Sequence, residues 1–512
     1  MMKKKNNIHE TKSILSCLGT NNLTGKLIFR LVLPFALISL TSLGYAQAPA
    51  YFTLNNENIN VEDFNNKINY MLDQVGVPAL SIAIIENNEV VFFNNYGKKS
   101  LKNNIATDSK TVFEAASLTK MYLVFVVHKL VEKKLLDLDK PIYQYLEYEP
   151  LRHDDRYKLI TSRMILSHCS GIENWSWNNR DNLLEILSNP GERFVYSGEG
   201  FQYLAKVVEA ILNESYESYV TRMILKPFDL NDTYLKFKKL RLNPFVKESP
   251  SNYAVGHNIF GEEVKKWKNH ITVPASGTHT TGKDYAKFMI SFFDEKKLSK
   301  ERRNDIIKPV IRLGEDDASG FMGSGFFMLQ NEKDTIISFS GNNDGFRDEL
   351  FYSVTHKRGF VFFTNSDQGK LITKELNKIT TNFDIDVLFD EAFFKYYPSN
   401  AITLQNVYKE EKVLGVLEKV EQLKKERKLD ESTLNELGEI FKEKETDMSI
   451  QLLKENIALY PESPNAYGLL GSIYMNMKKY KLAHANFLKA KELDFNLWNV
   501  QEDIEICQEK IE

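Results

Sequence analysis

Cysteine is scarce in this chain, with three in 512 residues: Cys17, Cys169 and Cys507. Cys17 lies in a basic, polar N-terminal stretch, and the other two fall in segments of different composition, so no disulfide framework is implied. Histidine is also thin. The nine histidines are scattered, and no pair has the spacing of a zinc site. Charge of one sign is missing too. Lysine plus arginine number 66 against 69 acids, a net charge of -3, and there is no basic stripe to hold nucleic acid. A hydrophobic content of 43% and a charged content of 26% are those of ordinary globular protein, and the length allows two or more domains.

A long apolar run is lacking as well. Residues 27–43 are mostly apolar, but Arg30 and Pro34 interrupt them, and the clean core that remains is short for a membrane span. Lys3, Lys4 and Lys5 precede this run, and Ala46-Gln47-Ala48 follow it with small residues suited to cleavage. The layout predicts a secretory signal peptide over 1–48 with a long basic region, removed near Ala48. It therefore predicts an exported protein, periplasmic or secreted, with no stable membrane span after processing. A membrane anchor is the competing reading.

Ser117-Leu118-Thr119-Lys120 is the one Ser-x-x-Lys in the chain. Serine is a poor nucleophile without a base beside it. Apolar periodicity predicts a helix over 117–134, which would place Lys120 on the same face as the Ser117 hydroxyl. A lysine in a partly buried cleft loses part of its preference for the charged form and can take the serine proton. A helix N-terminus also offers free N–H groups to a developing oxyanion. The plain alternative is an N-cap serine followed by a surface lysine.

Strands are predicted at 79–86 and 90–96, joined by an Asn87-Asn88 turn, and again at 325–329, 335–339, 349–354 and 359–365. Helices are predicted at 201–212 and 283–293. Strands at both ends with helices between them suggest an antiparallel sheet closed by the two ends of residues 49–395. After residue 402 proline and glycine thin out, and a helical linker is expected over 396–430. In 431–512, Pro464, Tyr467, Leu470, Gly471, Tyr474, Ala483, Phe487 and Ala490 fall at the key places of a tetratricopeptide repeat. An earlier unit is marked by Leu437, Gly438, Phe441, Ser449, Leu453 and Pro461. Small residues in such a unit let two helices cross closely, and aromatics fill the gap. Two units are few for an independent solenoid, so they are expected to lean on the preceding helix or on the larger domain.

The segment from Phe113 to Lys120 resembles the nucleophile motif of the serine β-lactamase and penicillin-binding protein superfamily, in its class C and D-alanyl-D-alanine peptidase branch. Leu166-Ser167-His168-Cys169-Ser170-Gly171-Ile172 looks like that family's Ser-Gly turn, and Pro190-Gly191-Glu192-Arg193-Phe194-Val195-Tyr196-Ser197-Gly198 like its second motif. The likeness runs over about residues 65 to 380 in the right order. It implies an α/β (α+β) fold: a transpeptidase-like antiparallel sheet flanked by helices, with an all-helical part. It implies Tyr196 as partner of Ser117 and Lys120 in proton transfer. It also implies an oxyanion hole from the backbone N–H groups of Ser117 and Asn342, and no metal or organic cofactor.

Two positions depart from the pattern. Gly198 stands where the family has an asparagine amide, which removes a substrate contact and is expected to widen the cleft. Phe339 stands where the family has a cation, in Phe339-Ser340-Gly341-Asn342. An aromatic there can neither bind a substrate carboxylate nor support Tyr196 electrostatically. Gly341 is expected to let substrate approach the strand. Arg347 is a candidate replacement for the missing charge or a surface arginine, and His168 is expected to hold its loop rather than to react. The resulting expectation is an exported serine hydrolase that forms an acyl-enzyme on a small-molecule or peptide substrate, either an amide or an ester; the resemblance implies a cell-wall peptide, a D-amino-acid compound or a small ester, and the repeats offer a place for a protein partner. The alternatives are a class C β-lactamase proper and a catalytically weak binding or adaptor protein that retains the fold.

Overall fold

The computed structural model describes residues 50–175, 183–237, 252–265, 268–313, 320–385, 399–494 and 500–511. The leader expected over 1–48 lies outside the described residues.

The body is built on one antiparallel sheet of nine strands: β1 (Ala79–Glu86), β2 (Glu89–Ser100), β3 (Ile105–Ala106), β4 (Ile311–Arg312), β5 (Phe321–Met322), β6 (Phe327–Gln330), β7 (Thr335–Asn343), β8 (Phe346–Ser353) and β9 (Arg358–Thr364). Their spatial order is β3-β2-β1-β9-β8-β7-β6-β5-β4. N- and C-terminal pieces of the body therefore meet at β1 and β9, as the strand pattern predicts. The β1–β2 turn places Asn87 at φ 54° and Asn88 at φ 62°, the left-handed pair that a tight hairpin requires.

Side chains alternate across the sheet and feed two cores. Leu80, Ile82, Ile84, Phe351, Phe360 and Phe362 pack on one face with α1 (Val61–Val75). Ile337, Phe339, Leu350, Tyr352, Val361 and Phe363 pack on the other with α2 (Lys120–Glu132) and α4 (Gly282–Phe292). α3 (Gly198–Leu212) joins that second layer, begun by Ser197, whose Oγ accepts from Gly200 N at 2.9 Å. Every residue of α2 from Lys120 to His128 is buried, as expected for a helix apolar all round. Tyr122 stacks on Phe288 at 4.1 Å, fixing α2 against α4.

The helix expected over 117–134 begins differently. Ala116–Thr119 is a tight 3-10 turn, and α2 proper starts at Lys120. Ala116 is held at φ 40°. That left-handed conformation costs an alanine about 1–3 kcal/mol. The surroundings impose it: Ala115 N donates to Thr278 O at 2.8 Å, and Tyr285 Oη donates to Leu118 O at 2.9 Å.

After residue 399 the chain is helical: α5 (Ser399–Lys425), α6 (Glu431–Phe441), α7 (Thr446–Leu459), α8 (Pro464–Asn476), α9 (Tyr480–Leu493) and α10 (Val500–Ile511). α5 is broken at Lys412, whose φ of 60° and ψ of -155° are not helical. α5 shares a core with α6 and α7 through Leu404, Tyr408, Val416, Val420, Leu437, Phe441 and Leu452. Gly471 lets α8 meet the Phe487 ring of α9, since a Cβ there would lie 2.7 Å from it. No described helix is long and apolar enough to cross a membrane.

Candidate active site

Ser117 sits in the 3-10 turn at the head of α2, half-buried, with two polar partners. Lys120 Nζ is 3.2 Å from its Oγ, and the Tyr196 hydroxyl donates to the same oxygen at 2.7 Å. The i, i+3 spacing survives the change from helix to 3-10 turn because the turn feeds straight into α2.

Lys120 is 0% exposed. Its Nζ donates to the Ala275 carbonyl at 2.9 Å and lies over the rings of Tyr196 and Phe201 at 4.9 and 5.6 Å. Burial pushes its ammonium down from the ordinary 10.5 to about 7. That drop is worth about 5 kcal/mol, while an aromatic face returns only about 0.5–2 kcal/mol to a cation, so desolvation wins. At neutral pH a large fraction of Lys120 carries a lone pair.

Tyr196 keeps its proton. Burial raises its phenol to about 12, and the hydrogen bond to Ser117 opposes this more weakly. Behind it stacks His168, ring to ring at 4.3 Å. His168 Nδ1 accepts from Ser197 N at 3.1 Å, so its proton sits on Nε2, a buried atom with no hydrogen-bond partner. Burial, and then the nearby Lys120, hold His168 far below its usual range and therefore neutral. It is a flat support for Tyr196, in keeping with the loop-holding role expected from the sequence.

Phe339 is 2% exposed, between the Phe327 ring at 5.5 Å and the His168 ring at 6.4 Å. It closes the wall of the site as packed aromatic surface. Gly341 points the same way along β7. A Cβ there would meet Asp348 Oδ2 at 2.7 Å and Ala115 O at 2.8 Å. The absence of a side chain at Gly341 thus admits the turn that carries Ser117. Asn342 is exposed and points to the opposite face. β6 pairs with β7 only as far as Phe327↔Ser338, so among the described residues β7 beyond Ser338 has no strand partner on that side.

Arg347 does not replace the missing cation. It pairs with Asn342 in the β7–β8 ladder and so lies on the other face from Phe339. Its Nη1 donates to Asn343 O at 2.7 Å and Phe346 O at 2.8 Å, and it pairs with Asp367 at 2.8 Å.

Gly198 does not widen the cleft. A Cβ there would meet the Trp175 ring at 2.5 Å, so the indole fills the space a side chain would take. Trp175 follows a segment pinned to the start of α3: Asn174 O accepts from Gly198 N at 3.1 Å and Glu199 N at 3.0 Å, and Ser197 Oγ donates to Glu173 O at 2.8 Å. Trp175 and the Ala275 carbonyl carry no motif and were not found from the sequence. An unexpected glycine at 198 was the only signal that something else fills that space. No cluster of metal-ligating side chains occurs among the described residues.

A family model described as beta-lactamase matches residues 64–378. Protein flp of Staphylococcus aureus is 24% identical over 353 residues, covering 64% of this chain and 67% of that protein. The octameric penicillin-binding protein homologue from Pyrococcus abyssi superposes with a TM-score of 0.54 at 23% identity, over 63% of this chain and 77% of the other. The D-alanine carboxypeptidase AmpC from Burkholderia cenocepacia gives 0.51 at 16% identity, over 60% and 95%.

Proposed function

The chain belongs to the beta-lactamase family, and on that premise we propose that it is an exported serine hydrolase that forms an acyl-enzyme on Ser117. The observation that carries this reading is the Ser117 hydroxyl between a buried Lys120 and the Tyr196 phenol, at 3.2 and 2.7 Å. One N–H of Lys120 is engaged by Ala275 O at 2.9 Å, and Ser117 Oγ stands within reach of the same nitrogen at 3.2 Å.

Ser117 Oγ attacks the carbonyl carbon of an amide or ester, and its proton passes to neutral Lys120. The N–H groups of Ser117 and Asn342 receive the oxyanion. On collapse the bond to the leaving group breaks. Tyr196 hands its proton to that group and is reprotonated from Lys120. Water then attacks the acyl-enzyme by the same relay, releasing the acid and restoring Ser117.

The substrate reading follows from the walls. Phe339 supplies no charge for a carboxylate, and Trp175 stands in place of an amide handle at 198. Both favour an uncharged, apolar-flanked ester or amide, such as a small ester or a D-amino-acid compound, over a peptide with a free carboxylate beside the scissile bond. For residues 431–512 the tetratricopeptide reading is part of this proposal and is supported by the succession of helices α6 to α9.

A fluorophosphonate probe and a panel of β-lactams, D-alanyl peptides and p-nitrophenyl esters test this reading, with Ser117→Ala as blank. Labelling and ester turnover are expected in the wild type and absent in the variant. Equal labelling of both proteins sinks the nucleophile assignment, and rapid β-lactam turnover overturns the substrate reading.

A further inference from the structure

A hairpin of the body, residues 256–265, reaches into a core that is not its own. It is closed by Val264 N to Gly256 O at 2.9 Å and Asn258 N to Glu262 O at 2.9 Å. At its tip Phe260 packs on Tyr408 of α5 at 5.3 Å and on Phe441 of α6 at 5.4 Å. Lys444, just past α6, lies 4.2 Å over the Phe260 ring and pairs with Glu262.

The base of the hairpin is fastened to the segment that follows β9. His257 N donates to Asn365 O at 3.0 Å, and Asp367 N donates to His257 O at 2.9 Å. His257 Nε2 accepts from Leu101 N at 3.3 Å, which leaves its proton on Nδ1, 3.0 Å from Asn365 O. The β7–β8 turn lies directly against this base. Gly345, at φ +75°, has no Cβ, and one there would meet His257 N at 2.6 Å. Gly345 N donates to Asp367 Oδ1 at 2.9 Å, and Asp367 in turn holds Arg347, which holds the Asn343 carbonyl. α5 adds a second fastening: Gln368 Nε2 donates to Gln405 Oε1 at 2.6 Å, with both side chains buried.

This matters because, among the described residues, β7 beyond Ser338 has a ladder on one side only. A strand end and turn so placed belong to the least stable parts of a fold. An oxyanion donor, in contrast, must be held within a fraction of an ångström. We infer that the C-terminal helices brace the 342–346 segment through the Phe260 hairpin and the Gln405 contact, making Phe260 a positioning residue for the Asn342 N–H. The inference rests on the hydrolase reading for its effect on rate, but not for its effect on the turn.

Phe260→Ala in the full-length chain tests it, with p-nitrophenyl ester kinetics and amide hydrogen exchange read together. The expected result is a kcat lower by about tenfold with KM within about twofold, as for a donor misplaced by less than an ångström. Exchange at 342–346 is expected to quicken while α2 stays protected, which separates the effect from global unfolding. Phe260→Leu is expected to restore most of both. Lys444→Ala, a milder change, is expected to move both readouts in the same direction by less. A folded Phe260→Ala protein with wild-type exchange at 342–346 overturns the brace. Wild-type kcat with faster exchange overturns the positioning role. If the wild type has no Ser117-dependent turnover, the hydrolase reading fails alone, and exchange still decides the brace.

Discussion

The body and the C-terminal helices are both well packed, but they bury different things. Among the described residues the body buries Lys99, Glu114, Lys120, Asp284, Asp348 and Glu349, with His128, His168, His257 and His279. The helices after residue 399 bury Gln405, Thr433, Ser449, Asn456 and Ser463, and no acid, lysine, arginine or histidine. Each of those neutral groups has a partner, such as Ser449 Oγ donating to Gly438 O at 2.5 Å and Asn456 Nδ2 to Asn435 Oδ1 at 2.7 Å. Burying an ionisable group is expensive, and structure alone rarely requires it. Two of those in the body, Lys120 and His168, flank the Ser117–Tyr196 pair, the kind of placement that marks a candidate site. The helices pack mainly helix on next helix, with the Phe260 hairpin of the body inserted against α5 and α6.

The largest test of that contrast is Lys120→Ala. Removing the base is expected to lower kcat/KM by about 10³-fold without unfolding the body. In the wild type, kcat/KM is expected to rise with pH through about 7, because the proposed mechanism uses Lys120 in its deprotonated form and burial sets its ionisation there. Tyr196, raised to about 12, adds no alkaline fall below about pH 10. A flat pH–rate profile, or unchanged kinetics in Lys120→Ala, would remove the buried lysine from the mechanism.

Packing gives the next test. Phe288→Ala empties the ring stacked on Tyr122 and is expected to cost about 3–5 kcal/mol in urea unfolding. Gly471→Ala drives a methyl into the Phe487 ring and is expected to cost about 1–3 kcal/mol. If the two regions are distinct scaffolds, Gly471→Ala leaves ester turnover nearly intact while Phe288→Ala does not. Equal losses of turnover would merge them.

The smallest expected effect is at Asp348. Its carboxyl is fully buried on the Ser117 side of the sheet, and neither oxygen has a side-chain hydrogen-bond partner. Burial raises it well above the carboxylate range and Glu114 pushes the same way, while the Thr364 backbone N–H, then Arg347 and Lys370, oppose. A raised acid favours folding below its unfolded value and loses that contribution as pH rises through its folded value. Asp348→Asn is therefore expected to flatten the fall of stability with rising pH, with a change of about 1 kcal/mol or less at acid pH. Urea titrations at acid and neutral pH measure this. An unaltered pH dependence in the variant would show that the buried charge is not what distinguishes the body here.

Much of the fold was legible because its signals are local. The Asn87-Asn88 hairpin, the four C-terminal strands of the sheet and the helix pairs after 431 follow from turn residues and periodicity. The strand expected at 325 begins only at Phe327, and the helix expected at 117 opens as a 3-10 turn. In the second case the cause is distant: Thr278 and Tyr285 grip the backbone of Ala115 and Leu118. Ser117, Lys120 and Tyr196 were legible as motifs. Trp175, Ala275 and the Phe260 hairpin were not, since their roles depend on segments tens to hundreds of residues away.

By itself, then, the sequence determined which side chains meet at Ser117, because i, i+3 spacing and motif order are short-range properties. Only the tertiary structure decided that Lys120 is stripped of water, that an indole fills the place beside Gly198, that Phe339 lies within the wall, and that the Phe260 hairpin packs on Tyr408 and Phe441 of the C-terminal helices. Desolvation and steric occupancy are properties of everything surrounding an atom, and no window of sequence contains them.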